Sequence, residues 1–276
     1  MTQRIVAFVD HEVGLRLLAR MLALPSPAPI EVVAVVTTRE NGSQWWPGVA
    51  PLCEKARVAL HRYGDPAADY QALPDIDWYL LCSWKHVLAP AEIAQPRRGV
   101  INLHYSLLPE LRGVYPVNQA IIEGRPFTGV TYHLATERID AGDTVVQGRL
   151  AIRAGDTARS LQRRLDDLAV SLFEPLLAWI DDDAPPPPPP GARTGSYRSR
   201  ADFQALCELD LDKTMTGWQW FNLLRGMSFL PQSRNLYVTD PATGRRVYLH
   251  LELSADDDSP HDTGGTGKAG PRTDPF

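Results

Sequence analysis

An α/β fold built on a mostly parallel sheet, with a small α+β C-terminal domain ending in a β-hairpin, is predicted by three features of the sequence. Short apolar or β-branched runs at residues 4–10, 31–38 and 78–84 read as strands covered on both faces. Stretches with apolar residues at helical spacing separate them. A run of six prolines at residues 185–190 then closes the pattern and sets off a smaller segment. At ~150 residues per domain, 276 residues make about two domains, or one α/β domain with an appendage.

Taken in order, residues 4–10 form the first strand, and Leu15, Leu18 and Leu22 follow at helical spacing. The β-branched run 31–38 is the second strand, and a helix is expected around 52–60. Strands at 78–84 and 99–106 complete a β-α-β-α-β alternation, which implies a parallel sheet with right-handed crossovers. Such sheets bind ligands beyond the carboxyl ends of their strands, here near Asp10, Trp84 and residues 104–109. Residues 129–135 and 144–152 read as two further strands. Asp156 is a candidate N-cap for a long helix with Leu161, Leu165, Leu168, Leu172 and Leu176 on one stripe.

Prolines cannot donate backbone hydrogen bonds and favour an extended helix, so Pro185–Pro190 reads as a stiff linker. Recognition by an SH3-like module is the other reading of such a run. The expected organisation is a catalytic domain over 1–183, a linker over 184–195, a small domain over 196–253 and a disordered tail over 254–276, rich in Asp, Gly, Pro and Ser. In the small domain a helix is expected at 216–227. Strands at 234–239 and 245–253 flank a hairpin turn at 240–244. Val247, Leu249, Leu251 and Leu253 alternate with Tyr248, His250 and Glu252, which predicts one buried face.

Apolar residues make up 44% and charged residues 22%, the mix of a soluble globular protein whose core needs no metal or disulfide staple. Lys plus Arg number 28 against 33 Asp plus Glu, a net charge of −5, which argues against a nucleic-acid partner. No window approaches ~20 uninterrupted apolar residues, and the first residues run straight into a strand pattern, so neither a membrane span nor a signal peptide is expected. Three cysteines at unrelated spacings, Cys53, Cys82 and Cys207, read as reduced thiols of a cytoplasmic protein. Only Gly14 follows the first strand, so the glycine-rich dinucleotide fingerprint is absent. So are a phosphate loop, a zinc-spaced cysteine pair and a His-Glu-x-x-His motif. The seven histidines show no metal-ligand spacing, and no metal or NAD is expected.

The informative stretch is 101–113, Ile-Asn-Leu-His-Tyr-Ser-Leu-Leu-Pro-Glu-Leu-Arg-Gly. Strand alternation puts Asn102 and His104 on one face, about 7 Å apart, and Leu103 and Tyr105 on the other. A core strand has no reason to present an amide and an imidazole together unless both find partners. At a carboxyl end facing solvent, Asn can donate to a developing oxyanion and His can move a proton at neutral pH. The plainer reading is a satisfied buried histidine beside a structural asparagine. Further on, Gly129-Val-Thr-Tyr-His133 precedes Glu137-Arg-Ile-Asp-Ala-Gly-Asp143. There Asp140 before Ala-Gly reads from its residues alone as an ordinary turn carboxylate.

Asn102-Leu-His-Tyr-Ser-Leu-Leu-Pro109, Arg112-Gly113, Gly129-Val-Thr and Ile139-Asp-Ala-Gly142 together resemble the N10-formyltetrahydrofolate-dependent formyltransferases, over roughly residues 4–182. The resemblance implies a Rossmann-like formyltransferase fold. It also implies a catalytic triad of Asn102, His104 and Asp140, which replaces the turn reading of Asp140. It makes Lys85, His86, Val87 and Leu88 the loop that grips the pterin, and places Ser106, Leu107, Leu108 and Pro109 along the folate and formyl group. The stretch 112–118 and the spaced Tyr197, Asp202-Phe203, Leu224-Arg225, Ser228-Phe229 and Asn235-Leu-Tyr237 look like the sugar-nucleotide branch of the family. That branch implies formyl transfer to the 3- or 4-amino group of a dTDP-linked amino-dideoxy sugar, on the way to lipopolysaccharide or another glycosylated product. It implies a homodimer through the C-terminal domain. Arg112, Tyr115, Asn118, Tyr197 and Arg225 are the candidate contacts to the nucleotide sugar. The large basic C-terminal barrel of the tRNA enzymes is missing, and the proline run and acidic tail depart from the family pattern.

Two other readings stand beside this one. The acceptor could be another metabolite amine such as hydroxyornithine. A module that binds folate or a nucleotide without catalysis would need no intact Asn-His-Asp set.

Overall fold

The computed structural model describes residues 2–38, 48–182, 184–185, 195–229, 236–249 and 251–253. The first half runs β1 (Gln3–Val9), α1 (His11–Leu22), β2 (Ile30–Thr37), α2 (Ala50–Ala56), β3 (Ala59–Arg62), β4 (Trp78–Cys82), α3 (Pro90–Ile93) and β5 (Gly99–His104). It continues with β6 (Arg112–Gly113), α4 (Pro116–Ile122), β7 (Phe127–Leu134), β8 (Thr144–Ala151), α5 (Ala158–Ser171) and α6 (Phe173–Asp182). The C-terminal segment holds β9 (Tyr197–Arg198), α7 (Arg200–Ala205), α8 (Gly217–Met227), β10 (Leu236–Thr239) and β11 (Arg246–Leu249).

Seven strands form one sheet in the order β3-β2-β1-β4-β5-β7-β8. The first five pair in parallel, whereas β7 runs antiparallel to β5 and β8 antiparallel to β7. The apolar strands are apolar because both faces are covered. Ile5, Ala7 and Val9 enter the larger core, where Leu17, Leu161, Leu165 and Phe173 meet them, and Val6 and Phe8 enter a smaller one with Tyr70 and Tyr79. Strand order reverses between β1 and β4, the crevice position at which open α/β sheets take ligands.

Two elements differ from the sequence expectation for identifiable reasons. The helix expected to 60 stops at Ala56, because Arg57 adopts a left-handed conformation (φ 56°) and turns the chain into the edge strand β3. The single long helix is two, α5 and α6, broken at Leu172. Pro175 explains the break: it has no N–H to give and is tolerated only in the first turn of a new helix. The cap of α5 is Thr157, which accepts the Ser160 N–H at 3.3 Å. Asp156 instead accepts from Arg153 N–H at 2.7 Å and pairs with Arg164 at 2.6 Å.

The C-terminal segment is tied to the first domain at three places. β9 pairs with β6. Gly113 makes that pairing possible, since it sits at φ 95° and a Cβ there would lie 2.1 Å from the Arg198 carbonyl oxygen. Helix α8 packs along α4, where Asn118 Nδ2 donates to the Gly226 carbonyl at 2.7 Å. Arg225, 5% exposed, drives its guanidinium back into the first domain and donates to the carbonyls of Arg153 (2.8 Å), Ala154 (3.3 Å) and Asp156 (3.0 Å) and to Asn222 Oδ1 (2.9 Å).

In the hairpin, Leu236 is buried and Leu249, Leu251 and Leu253 are half-buried, but Val247 is 53% exposed. The uniformly buried face expected for this strand therefore extends only over the end that packs on Phe203, Leu223 and Met227. The expected strand residues Arg234, Asn235 and His250, most of the proline linker and the tail from Ser254 lie outside the described residues.

Replacing Arg225 by Ala leaves three backbone carbonyls without their donor and should cost about 3 kcal/mol of stability. Urea unfolding followed by circular dichroism measures it; a loss under about 0.5 kcal/mol, the range of an ordinary surface change, would show that the clamp contributes nothing.

Candidate active site

The polar residues of β5 meet those of β7 through the antiparallel register, which sets Asn102 opposite His133 and His104 opposite Thr131. Asp140 enters from the β7–β8 loop with a left-handed backbone (φ 49°), an uncommon conformation for a residue with a side chain. Its carboxylate is the hub. Oδ2 accepts the Gly113 N–H at 2.9 Å and stands 3.5 Å from His104 Nδ1. Oδ1 stands 3.4 Å from both Asn102 Nδ2 and His133 Nε2. The structure thus brings Asn102, His104 and Asp140 together, and adds His133, to which the sequence reading gave no role. The signal for His133 was alternation: it shares a strand face with Thr131, and an antiparallel neighbour of β5 would carry that face to Asn102.

Burial of the carboxylate alone would raise its pKa, but His104, His133 and the Gly113 N–H together hold Asp140 down at about 2. His104 is pushed below its ordinary value, because burial of the ring outweighs the pull of Asp140. Its Nε2 lies 2.9 Å from the Leu111 carbonyl oxygen, which only accepts, so Nε2 carries the hydrogen and Nδ1 the lone pair of the neutral ring. The ring is 6% exposed, and the solvent-facing site expected for it is a buried one.

The strand-end loops are held rather than free. Thr131 Oγ1 donates to the Ser106 carbonyl at 2.7 Å and accepts from Leu108 N–H at 3.3 Å, while Gln147 Nε2 donates to the Leu108 carbonyl at 3.1 Å. Ser106 and Leu108 are buried; Leu107 and Pro109 lie between and beside them on the same loop. Lys85 donates to Thr38 Oγ1 at 3.0 Å and stands 3.8 Å from the buried Asp10 carboxylate. His86 packs on Tyr63 and Trp84 with ring centroids 5.0 and 5.4 Å away, and Val87 is 73% exposed. Leu88 turns inward to the smaller core.

Of the residues expected at the nucleotide sugar, two are committed elsewhere. Arg225 is the clamp described above, and the amide of Asn118 is spent on Gly226, because both lie on the α4–α8 interface and not at the site mouth. Arg112 and Tyr197 are neighbours on β6 and β9, and the Arg112 Nε is buried with no partner among the described residues. Tyr115 stacks on Phe203 with centroids 4.0 Å apart. Among the described residues no group of His, Cys, Asp and Glu could hold a metal ion, and no helix is long and apolar enough to cross a membrane.

A seven-stranded α/β sheet carries an Asn-His-Asp cluster at the carboxyl end of a central strand, where open α/β sheets take ligands. Sequence comparison makes the family specific: the formyl transferase model matches residues 32–176, and the chain belongs to that family. Residues 202–255 match the N-formyltransferase dimerization C-terminal domain. A methionyl-tRNA formyltransferase of Fusobacterium nucleatum is 32% identical over 155 residues, which is 56% of this chain and 49% of that protein. The chain spans about half the length of such curated relatives. Among solved structures, a 4-N formyltransferase from Francisella tularensis is similar with a TM-score of 0.75 at 23% identity, over 92% of this chain and 98% of that one. An N-formyltransferase from Helicobacter canadensis, in complex with folinic acid and dTDP-3-aminofucose, is similar with a TM-score of 0.66 at 19% identity, over 83% and 81%. At these identities the likeness is one of fold.

The depressed pKa values set the sign of the acid response. Below its ordinary value of 6.5 the His104 of the unfolded chain takes a proton that the folded chain refuses, so stability falls as pH drops from about 7. Asp140 adds stability above the unfolded value near 3.8, and loses it as pH falls through about 2. Urea unfolding at stepped pH should give His104→Gln a flatter curve than the parent between pH 7 and 5, and Asp140→Asn a flatter one below pH 4. Parallel curves in both windows would remove these two groups from the site's electrostatics.

Proposed function

We propose that the protein transfers a formyl group from N10-formyltetrahydrofolate to the primary amine of a dTDP-linked amino-dideoxy sugar. The observation that carries the reading is the Asn102, His104 and Asp140 cluster at the end of β5, in a chain whose C-terminal segment matches an N-formyltransferase dimerization domain. The residues present suit a flat, amide-edged pterin. Trp84, Tyr63 and His86 form an aromatic group beside the 85–88 loop, and the Trp84 indole N–H is buried without a partner among the described residues. N10-formyltetrahydrofolate supplies the activated formyl carbon when bound.

The roles follow from the donors and acceptors. Asn102 Nδ2–H donates to the formyl oxygen as negative charge grows on it, the interaction that matters most in acyl transfer. Neutral His104 takes the proton shed by the attacking amine at Nδ1, directly or across one water, and the ionised Asp140 at 3.5 Å stabilises the imidazolium so formed. As the adduct collapses the formyl C–N10 bond breaks, and the imidazolium gives that proton to N10 of the departing tetrahydrofolate. For the acceptor, Arg112 offers a guanidinium edge to a diphosphate, and Tyr115 and Tyr197, 43% and 46% exposed, offer rings to a base.

We place the enzyme in the cytoplasm as a homodimer that pairs through the hairpin. Val247 and Tyr248 on β11 expose apolar area there that a partner would cover.

Two measurements test the reading. Incubation with formylated folate and a panel of dTDP-amino sugars should give a formylated sugar, with Asn102→Ala lowering kcat roughly 10²–10³-fold at unchanged KM. Product only with N-hydroxyornithine would move the acceptor to a free metabolite; folate binding without transfer to any amine would leave a binding module. Light scattering should find the parent dimeric and Val247→Glu monomeric. A parent that is monomeric at all concentrations would overturn the dimer.

A further inference from the structure

His133 lies at the centre of the polar cluster, 1% exposed, and takes no part in the reaction just described. Its Nδ1 is 3.0 Å from the Leu134 carbonyl oxygen, and a carbonyl only accepts, so Nδ1 carries the hydrogen. In the neutral ring Nε2 then offers a lone pair, and Asp140 Oδ1, 3.4 Å from that nitrogen, lies beyond the usual hydrogen-bond range. The atom 3.1 Å away from that lone pair is the amide nitrogen of Asn102. An asparagine amide has two nearly superimposable orientations, one presenting N–H and the other presenting oxygen. Nothing else around Asn102 separates them so sharply: Asp140 Oδ1 favours the same end from 3.4 Å, beyond the usual N–H···O range.

We propose that His133 is a positioning residue, which accepts one Asn102 N–H at Nε2 and so fixes Nδ2, not Oδ1, as the end of the amide at the reacting carbonyl. The proposal rests on the formyl-transfer reading for its consequence in rate. Without the acceptor at Nε2, the amide is free to turn its oxygen toward the position where negative charge develops. That orientation repels the developing charge but scarcely affects the neutral substrate, so kcat should fall and KM should not.

The test is a set of variants in two backgrounds. His133→Leu should lower kcat roughly 10–100-fold, part of what loss of an oxyanion donor costs, with KM for both substrates within about twofold. His133→Gln, whose Oε1 can accept near the Nε2 position, should recover most of that loss. In the Asn102→Ala background, His133→Leu should cost less than about twofold, since nothing remains to be positioned. Equal losses in the two backgrounds would overturn the proposal. A second measurement does not depend on turnover. The Asn102 side-chain NH2 pair, identified in 1H–15N spectra by its loss in Asn102→Ala, should shift in His133→Leu and stay near its place in His133→Gln. An unmoved pair in the Leu variant would also overturn the proposal. A moved pair in a chain that formylates no amine would leave the positioning intact and sink the functional reading instead. If His133→Leu fails to fold, the Gln variant alone decides, since a displaced amide there, or a kcat as low as that of Asn102→Ala, counts against the idea.

Discussion

A charged carboxylate in a protein interior must be compensated on nearly every side, and in this molecule that requirement falls on Asp140. Its oxygens accept an N–H from β6 and stand 3.4–3.5 Å from the rings of two histidines and an asparagine amide. These groups come from β5, β6 and β7, so the carboxylate is compensated in the interior only when all three strands and its own loop are in place. The unusual backbones nearby are intelligible on the same terms. Leu111, Tyr115 and Asp140 all adopt positive φ, a cost that survives where surrounding contacts over-determine the conformation. Leu111 points its carbonyl to His104, and the Asp140 backbone points its side chain into the cluster.

The same requirement links the site to the C-terminal segment. The N–H that Asp140 accepts belongs to Gly113, and Gly113 is the residue that lets β6 approach β9. Leu111 N–H, next to the carbonyl that holds His104, donates to Ser196 Oγ at 2.8 Å. The segment is therefore a support for the two loops that hold His104 and Asp140, while Arg225 and the α4–α8 contact keep it seated. Changes far from the reacting atoms, on β9 or α8, can reach the site through these hydrogen bonds.

The parts of this arrangement that were legible in the sequence are those written in local pattern. Strands β1 and β4 are apolar on both faces and could be nothing but central strands. Asn102 and His104 stood out because polar groups in such a strand need a reason. The break at Leu172 was hidden by a leucine stripe that continues in register across it, although Pro175 carried the information. Strand β3 is four residues at a sheet edge, too short for a period to show. His133 was seen but not understood, because its meaning depends on the antiparallel register with β5, which no local pattern encodes. Arg225 was misread for the complementary reason: an arginine near a helix end looks like a solvent-facing cation until the backbone carbonyls of residues 153–156 fold over it.

The lowered pKa of His104 bears on what kind of acceptor the site can serve. A strong base would sit protonated at neutral pH, and a protonated imidazole beside Asp140 has no lone pair to offer. Burial avoids this by penalising the cation at rest. The amine, for its part, becomes far more acidic once its nitrogen has bonded to the formyl carbon, so a weak base is then sufficient to take its proton. In the proposed reaction Asp140, its pKa held at about 2, stays ionised and favours the imidazolium at that moment. Burial and the carboxylate thus act at different stages, one keeping the base free before attack and the other stabilising the charge after it. Such an arrangement suits an amine that arrives neutral and sheds its proton after attack.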